Sequence, residues 1–153
     1  MYDEAVRFGT GVAWLALCVP AFGQVSEASL EARYGKPVAG SYVVRPGVTI
    51  KTYEGPKGEV CVLTISGPKT EKDLMAIVDQ AVPSASRGLA LGGVSVCAGI
   101  CPTIRNYEKL TIETIVLYDG DRANATAAVT SKSKNCEARV KEVPRFAQDL
   151  YRR

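Results

Sequence analysis

The stretch "SYVVRPGVTIKTYEGPKGEVCVLTI", residues 41–65, decides the fold of this chain. Its two central runs alternate apolar and polar side chains, with Val48 and Ile50 before the GPKG segment and Leu63 and Ile65 after it. Alternation with a period of two is typical of a β-strand with one buried face, and a four-residue link with proline and glycine is typical of a hairpin. The preceding YVVR segment predicts a third strand beside the hairpin.

Helical patterns lie on both sides of this hairpin in the sequence. Ser26 is a suitable N-cap for the segment EASLEARY, and Thr70 is a suitable N-cap for a second helix that Pro83 ends. The apolar residues of the second helix recur at i, i+3, i+4 and i+7, namely Leu74, Ile77, Val78 and Ala81. Because this spacing places them on one helical face, we expect that helix to cover the hairpin sheet.

Further strands are predicted in the second half of the chain. The glycine-rich segment after Pro83 contains one short predicted strand, around residues 94–97. The segment YEKLTIETIVLYDGDRANATAAVTS, residues 107–131, predicts a long strand, a turn at Asp119 and Gly120, and a return strand. Since strands and helices do not alternate as in βαβ units, the sequence predicts an α+β fold with a mainly antiparallel sheet of about five or six strands and helices packed on one face.

The N-terminal run "VAWLALCVPAFG", residues 12–23, is uncharged and about a dozen residues long. A short apolar run that ends in a small-x-small pattern is typical of a secretory signal peptide, here cut before Gln24. We therefore expect a removed signal peptide over residues 1–23 and a single α+β domain over residues 24–153, exported to the periplasm or secreted, without a transmembrane segment. Cys18 in LALC suggests a lipoprotein as the alternative, although Leu17 is large for the residue before a lipidated cysteine.

Four cysteines remain after the signal peptide, and an oxidising compartment favours disulfides between them. Cys61 lies on a predicted strand and Cys136 follows the last predicted strand, so these two can be neighbours. The preferred pairing is Cys61–Cys136 with Cys97–Cys101, which requires a turn at Gly99. The competing pairing joins Cys97 and Cys101 separately to Cys61 and Cys136.

The charged residues indicate a basic tail. Without residues 1–23 the chain has 18 basic and 14 acidic residues, a net charge of +4, and residues 132–153 alone contribute seven basic and three acidic. A final helix is predicted over residues 143–153, and its Arg145, Arg152 and Arg153 are candidate contacts for an anionic partner. No aromatic residues alternate with these charges as in a base-stacking surface, so nucleic acid is not expected as a partner.

The composition gives little support to catalysis. The sequence has no histidine, which removes the usual general base near neutral pH and the commonest metal ligand. No other polar residues form a recognisable catalytic set. We therefore expect no catalytic residues, no metal site and no cofactor, and we interpret the chain as a non-catalytic module that binds another macromolecule or associates with the cell envelope.

The segment CAGICP, residues 97–102, suggests an alternative function. It resembles the C-x-x-x-C-P element of the Sco copper-delivery proteins, which have a thioredoxin-like fold. The resemblance implies that Cys97 and Cys101 bind copper, and thiolates do suit Cu(I). The distal histidine of that family has no counterpart here. A thiol redox protein that uses the same two cysteines is the related enzymatic alternative.

A broader resemblance covers most of the chain after the signal peptide. The order of the segments LEARYGKP, YVVRPGVTIKTYEGPKGEVCVLTI and YEKLTI resembles that of small exported bacterial proteins of the kind seen among soil Acidobacteria. The resemblance implies export and a common α+β unit. It implies no activity, because the shared positions are turn and strand residues.

Overall fold

A computed structural model describes residues 25–95 and 102–143 of the chain. Its elements follow in chain order: α1 (Glu27–Tyr34), β1 (Ser41–Arg45), β2 (Val48–Glu54), β3 (Val60–Ser66), α2 (Glu71–Ala81), α3 (Ser84–Arg87), β4 (Ala90–Ser95), β5 (Thr103–Tyr107), β6 (Leu110–Asp119), β7 (Arg122–Ser131), a 3₁₀ turn (Lys134–Cys136) and α4 (Glu137–Glu142). None of the described helices is long and apolar enough to cross a membrane.

The strands form one antiparallel sheet in the order β1-β2-β3-β7-β6-β5-β4. The predicted central hairpin is present, since β2 pairs with β3 and places Ile50 opposite Ile65. The long hairpin of β6 and β7 inserts its second strand beside β3, where Leu63 lies opposite Val129. The α+β class and the antiparallel sheet are therefore as the sequence predicted.

The sheet has seven strands, and the prediction of five or six is wrong. The strand that the sequence did not reveal is β5, whose residues TIRNY do not alternate apolar and polar side chains. Arg105 of β5 is opposite the buried Ile112 of β6 and so lies on the core face of the sheet. A charged residue at an inward position hides the pattern by which a strand is recognised in sequence.

One face of the sheet carries the main hydrophobic core. The pattern that the sequence predicted for β2 and β3 supplies its centre, and α1 and α2 cover it. Its most completely buried members, each at most 1% exposed, are Leu30, Ile50, Leu63, Ile65, Leu74, Val78, Val82, Ile112, Ala125 and Ala127. Ser26 and Thr70 act as the predicted N-caps, because their side chains accept hydrogen bonds from the N–H groups of Ser29 and Asp73.

The helices do not all pack on one face, and this part of the prediction is also wrong. Helix α4 packs on β3, where Val140 and Val143 line a cavity with Val62 and Thr64. Val62 and Thr64 alternate along β3 with the core residues Leu63 and Ile65, so they belong to the opposite face. Helix α4 follows the 3₁₀ turn directly, and that turn is bonded to β3 through the disulfide of Cys136 with Cys61.

Several predicted features lie outside the described residues. These are the signal peptide over residues 1–23, the pair Cys97 and Cys101, the C-terminal helix beyond Val143, and the three arginines Arg145, Arg152 and Arg153.

Candidate functional site

A disulfide joins Cys61 of β3 to Cys136 of the 3₁₀ turn, 75 residues away in the sequence. Both cysteines are buried, and their Cα atoms are 5.2 Å apart, within the usual range for a bridge. The preferred pairing of these two cysteines is confirmed, and the competing pairing of each with Cys97 or Cys101 is wrong for this structure. The bond between Cys97 and Cys101 stays a prediction, as do their copper and thiol redox roles.

Glu59 lies beside this disulfide at the end of the β2–β3 hairpin. Its Oε2 accepts a hydrogen bond from the N–H of Lys57 at 3.1 Å, while its Oε1 is buried without a hydrogen-bond partner. Three potential metal-ligand atoms, one each from Glu59, Cys61 and Cys136, lie within 4.8 Å of one another. This is the one such group among residues 25–95 and 102–143. The two sulfurs are bonded to each other, so they do not provide the thiolates that a metal would require.

A cavity of about 300 Å³ adjoins the disulfide at one end of the core. It lies between the core face of the sheet, the C-terminal end of α2 and α3. Its apolar walls are formed by Val25, Val60, Cys61, Leu63, Val82, Leu110 and Val129. Its polar lining is formed by Glu59, Ser86, Glu108, Lys109, Ser131, Lys132 and Ser133. Apolar walls with a small number of polar groups are typical of a small-molecule site.

Most of the apolar lining of the cavity comes from residues within strands, whereas two lysines of the polar lining lie just outside strand ends. Leu63, Leu110 and Val129 belong to the adjacent strands β3, β6 and β7, and each is at most 6% exposed. Lys109 precedes β6 and Lys132 follows β7, and the carbonyl of Lys109 accepts a hydrogen bond from the N–H of Lys132 at 2.9 Å. The strand ends therefore place two lysines next to each other at the polar part of the lining.

A polar cluster lies at the other end of α2, under the start of the helix. Arg105 donates to Glu71 at 2.7 Å and to the hydroxyl of Thr114 at 3.2 Å, and that hydroxyl donates to Glu71 at 3.1 Å. The pKa of Glu71 is lowered chiefly by the hydrogen bond from Arg105, against the effect of partial burial, with further lowering by Thr114 and by the charge of Arg105. These three groups satisfy one another, so the cluster stabilises the contact of α2 with β5 and β6.

Arg87 is a second polar group inside the protein, at 6% exposure. Its Nε and Nη2 donate to the carbonyl of Val82 at 2.9 and 2.6 Å, and Nη2 also donates to Asp79 at 2.5 Å. The guanidinium lies 5.6 Å from the ring centre of Tyr107. Arg87 therefore serves the C-terminal end of α2, whose last carbonyl groups have no partner within the helix.

Strand β4 forms one edge of the sheet in the described part of the chain, and all six of its residues are exposed. Leu91 and Val94 are 63% and 51% exposed, and Leu89 just before the strand is 74% exposed. The strand pairs with β5 along one side, and no strand of residues 25–95 and 102–143 pairs with its other side. Its unpaired backbone groups and apolar side chains make it a candidate interaction surface.

Sequence reasoning identified one of these features and missed the rest. The Cys61–Cys136 bond was predicted, but the cavity, the Arg105 cluster and the exposed edge were not. The cavity is assembled from residues between 25 and 133 in the chain, a span with no local signal. The exposed edge had a weak signal, since the segment LALGGVS combines apolar side chains with a complete absence of charge.

Comparison with family models, with curated proteins and with solved structures gives no match for this chain.

Proposed function

We propose that the chain is an exported, disulfide-stabilised, non-catalytic module that binds another polypeptide by adding a strand to β4. The exposure of all six β4 residues at an edge of the sheet carries this proposal. An extended partner segment would hydrogen-bond to the outer backbone groups of β4, which is a recurrent mode of peptide recognition.

The two edges of the sheet differ in a way that favours β4 as the binding edge. Proteins commonly protect edge strands with charged side chains or proline. Strand β1, at the opposite edge, has Arg45 in an ion pair with Asp73 and is contacted by α1. Strand β4 reads ALGGVS and has neither a charge nor a proline, although a bulge interrupts its pairing near Leu91. We expect the partner segment to be extended, uncharged and partly apolar.

The test introduces a charge at β4. Val94→Lys places an ammonium group within the proposed contact, where it would lose hydration on strand addition. Val43→Lys is the matched control, because Val43 is also an exposed valine of an edge strand, at 46% exposure against 51% for Val94. Both variants and the parent protein are used to capture partners from an envelope extract.

The proposal requires a captured polypeptide that is lost with Val94→Lys and retained with Val43→Lys. It also requires that amide hydrogen exchange in β4 slows when the purified partner is added. Equal capture by both lysine variants, or unchanged exchange in β4, would reject strand addition. If the captured polypeptide is a second copy of this chain, the measured solution mass of the pure protein doubles and falls again with Val94→Lys.

Export belongs to the same proposal. Supporting it are the apolar run of residues 12–23 and the Cys61–Cys136 bond, since disulfides persist mainly in oxidising compartments. Expression of the full chain in a bacterial host, followed by N-terminal sequencing of the periplasmic and secreted fractions, should give a protein that begins at Gln24. Recovery of the uncleaved chain in the cytoplasm alone would reject export.

The basic tail is a separate proposed contact, for an anionic partner such as lipid headgroups or a polysaccharide. Binding through Arg145, Arg152 and Arg153 should weaken with salt, because exposed charges are screened over about 10 Å at 0.1 M ionic strength. Binding to anionic vesicles is compared before and after removal of residues 145–153. Unchanged binding by the shortened chain would exclude the tail.

A further inference from the structure

The cavity beside the disulfide is a space that no described side chain fills. Leu63, Val82 and Val129 are each at most 5% exposed, yet they border about 300 Å³ of space. Protein interiors are close-packed, and voids larger than a water molecule are few, because wall atoms that face empty space lose their packing partners. The lining also includes the half-buried Val25 and Val60, and an apolar group in this space would pack against their accessible surface.

The size of the cavity limits what can enter it. A volume of about 300 Å³ corresponds to the liquid volume of roughly ten water molecules, from about 30 Å³ each. It is also at the lower end of the range of about 300–1,000 Å³ for small-molecule pockets. A small molecule is therefore the occupant that the volume of the cavity fits.

The two acidic residues of the lining are held by the backbone around them. The carboxylate of Glu59 accepts from the N–H of Lys57, and its second oxygen is buried away from solvent. The carboxylate of Glu108 accepts from the N–H of Leu89 at 3.4 Å. Each acid thus has a local hydrogen-bond donor that offsets part of its charge.

The two lysines of the lining, Lys109 and Lys132, differ in their local partners, and an acidic group pairs with neither of them in the described residues. The Lys132 ammonium donates one hydrogen bond to the carbonyl of Tyr107 at 2.6 Å and keeps two further N–H groups. Ser131 adds a hydroxyl donor, because its oxygen accepts from the N–H of Ser133 at 3.2 Å and its own hydrogen has no acceptor in the described residues. The polar part of the lining therefore has two ammonium groups without ion pairs and one hydroxyl donor, beside the carboxylates of Glu59 and Glu108.

From these observations we propose that the cavity binds a small molecule with an unbranched apolar body and one carboxylate head. The body lies against Leu63, Leu110 and Val129, and the head accepts hydrogen bonds from Lys109, Lys132 and Ser131. This site is independent of strand addition at β4, since no β4 residue lines the cavity.

The test compares three ligands that share an eight-carbon chain and differ in the head: octanoate, octanol and octylammonium. Binding to the purified protein is measured by isothermal titration calorimetry at low and high salt. We expect octanoate to bind at least tenfold more tightly than octanol, with octylammonium weakest. The preference for octanoate should decrease as salt rises.

Two variants locate the site. Ser131→Phe places a ring at the polar part of the lining and should weaken octanoate binding more than tenfold. Lys109→Glu should weaken octanoate binding about tenfold and leave octanol binding within twofold. Lys134→Glu is the matched control, because Lys134 is an exposed lysine two residues from Lys132 that does not line the cavity, and it should change binding by less than twofold.

Thermal unfolding of each variant separates loss of binding from loss of folding. Lys109→Glu should fold normally, because Lys109 is exposed. The proposal is overturned if none of the three ligands binds at millimolar concentration. It is also overturned if octanoate and octanol bind equally, or if octanoate binding is unchanged in Ser131→Phe and Lys109→Glu. Val94→Lys should leave octanoate binding unchanged, so failure of the cavity proposal and failure of strand addition are distinguishable.

Discussion

At the scale of single residues, the buried Arg87 and the half-buried Glu71 show how polar side chains hold the two ends of α2. Arg87 is buried and gives its hydrogen bonds to the end of α2, whereas Glu71 begins the same helix and receives hydrogen bonds from two strands. Each group has partners, which removes most of the cost of burying it. The two ends of α2 are therefore fixed by different side chains.

Replacement of Arg87 tests the first of these roles. Arg87→Met leaves the carbonyl of Val82 without its donor and should reduce the free energy of unfolding by about 1–3 kcal/mol, the cost of an unpaired buried acceptor. Asp79→Asn is the control, because Asp79 is 62% exposed and its ion pair with Arg87 should contribute less than about 1 kcal/mol. Urea unfolding measures the free energy of unfolding of both variants. An equal decrease for the two substitutions would contradict the role of Arg87 as the donor to the Val82 carbonyl.

The lowered pKa of Glu71 predicts a specific dependence of stability on pH. A carboxyl whose pKa is lower in the folded state stabilises the protein above its unfolded value, near 4.5, and loses that contribution as pH falls through the folded value. Since Glu71 is 40% exposed, the contribution should be at most about 1 kcal/mol. The parent protein should exceed Glu71→Gln in stability at pH 6, and the difference should shrink below pH 4.5. A constant difference from pH 6 to pH 3 would contradict this role.

At the scale of elements, the disulfide explains why α4 packs on the sheet at all. Helix α4 has six residues and none of them is buried. Its contacts with β3 are supplemented by Arg139, whose guanidinium lies 6.0 Å from the ring centre of Tyr53. A helix this short is marginal in isolation, so the bond between Cys61 and Cys136 holds the segment in place.

Removal of that bond should have a large effect on stability. The double variant Cys61→Ala, Cys136→Ala opens a loop of 75 residues and should lower the free energy of unfolding by about 4 kcal/mol through chain entropy. Denaturant unfolding under oxidising conditions measures the change without disturbing any other cysteine. An effect below about 1 kcal/mol would show that the sheet holds α4 without the bond.

The β2–β3 hairpin also limits substitution close to the disulfide. A Cβ atom on Gly55 would lie 2.7 Å from the sulfur of Cys61 and 3.0 Å from the side chain of Glu59. Gly55→Ala should therefore displace the disulfide or the turn and destabilise the protein by about 1–3 kcal/mol, the usual cost of overpacking. Gly58→Ala is the comparison in the same loop, because a Cβ atom on Gly58 would meet no atom within 4 Å. Since Gly58 has a φ of +76°, that variant measures the cost of backbone strain alone. A smaller loss for Gly55→Ala than for Gly58→Ala would contradict the steric explanation.

At the scale of the whole molecule, the sheet is not uniformly stabilised. Strands β2, β3, β7 and β6 carry the buried residues under α1 and α2, whereas β5 is only partly buried and β4 is fully exposed. Local opening requires less free energy where few apolar side chains are buried. Stability should therefore decrease from the centre of the sheet towards β4.

Native-state hydrogen exchange measures this gradient. Amides in β3 and β7 should exchange only through global unfolding, while amides of β4 that pair with β5 should exchange through a local opening of lower free energy. The gradient should persist at low denaturant concentration and vanish near the unfolding midpoint. Exchange of β4 at the same rate as β7 would mean that the sheet opens as one unit.

Much of the fold could be predicted because local patterns determine it. The alternation in β2 and β3, the cap at Thr70 and the one-sided apolar spacing of α2 depend on residues close together in the sequence, and the structure has all of them. Strand β5 could not be recognised, because Arg105 points towards the core only when Glu71 and Thr114, from two distant elements, are present to pair with it.

The sequence by itself determined the class of the fold, its central hairpin and its two capped helices, and it left two cysteine pairings open, of which the structure has Cys61–Cys136. The hairpin and the helices follow from short-range periodicity and from the geometry of strands. Only the tertiary structure decided which face α4 covers, which edge of the sheet stays open, and that a cavity lies beside the disulfide. Each of these depends on how segments far apart in the chain pack together, and side-chain packing across that distance leaves no periodic trace in the sequence.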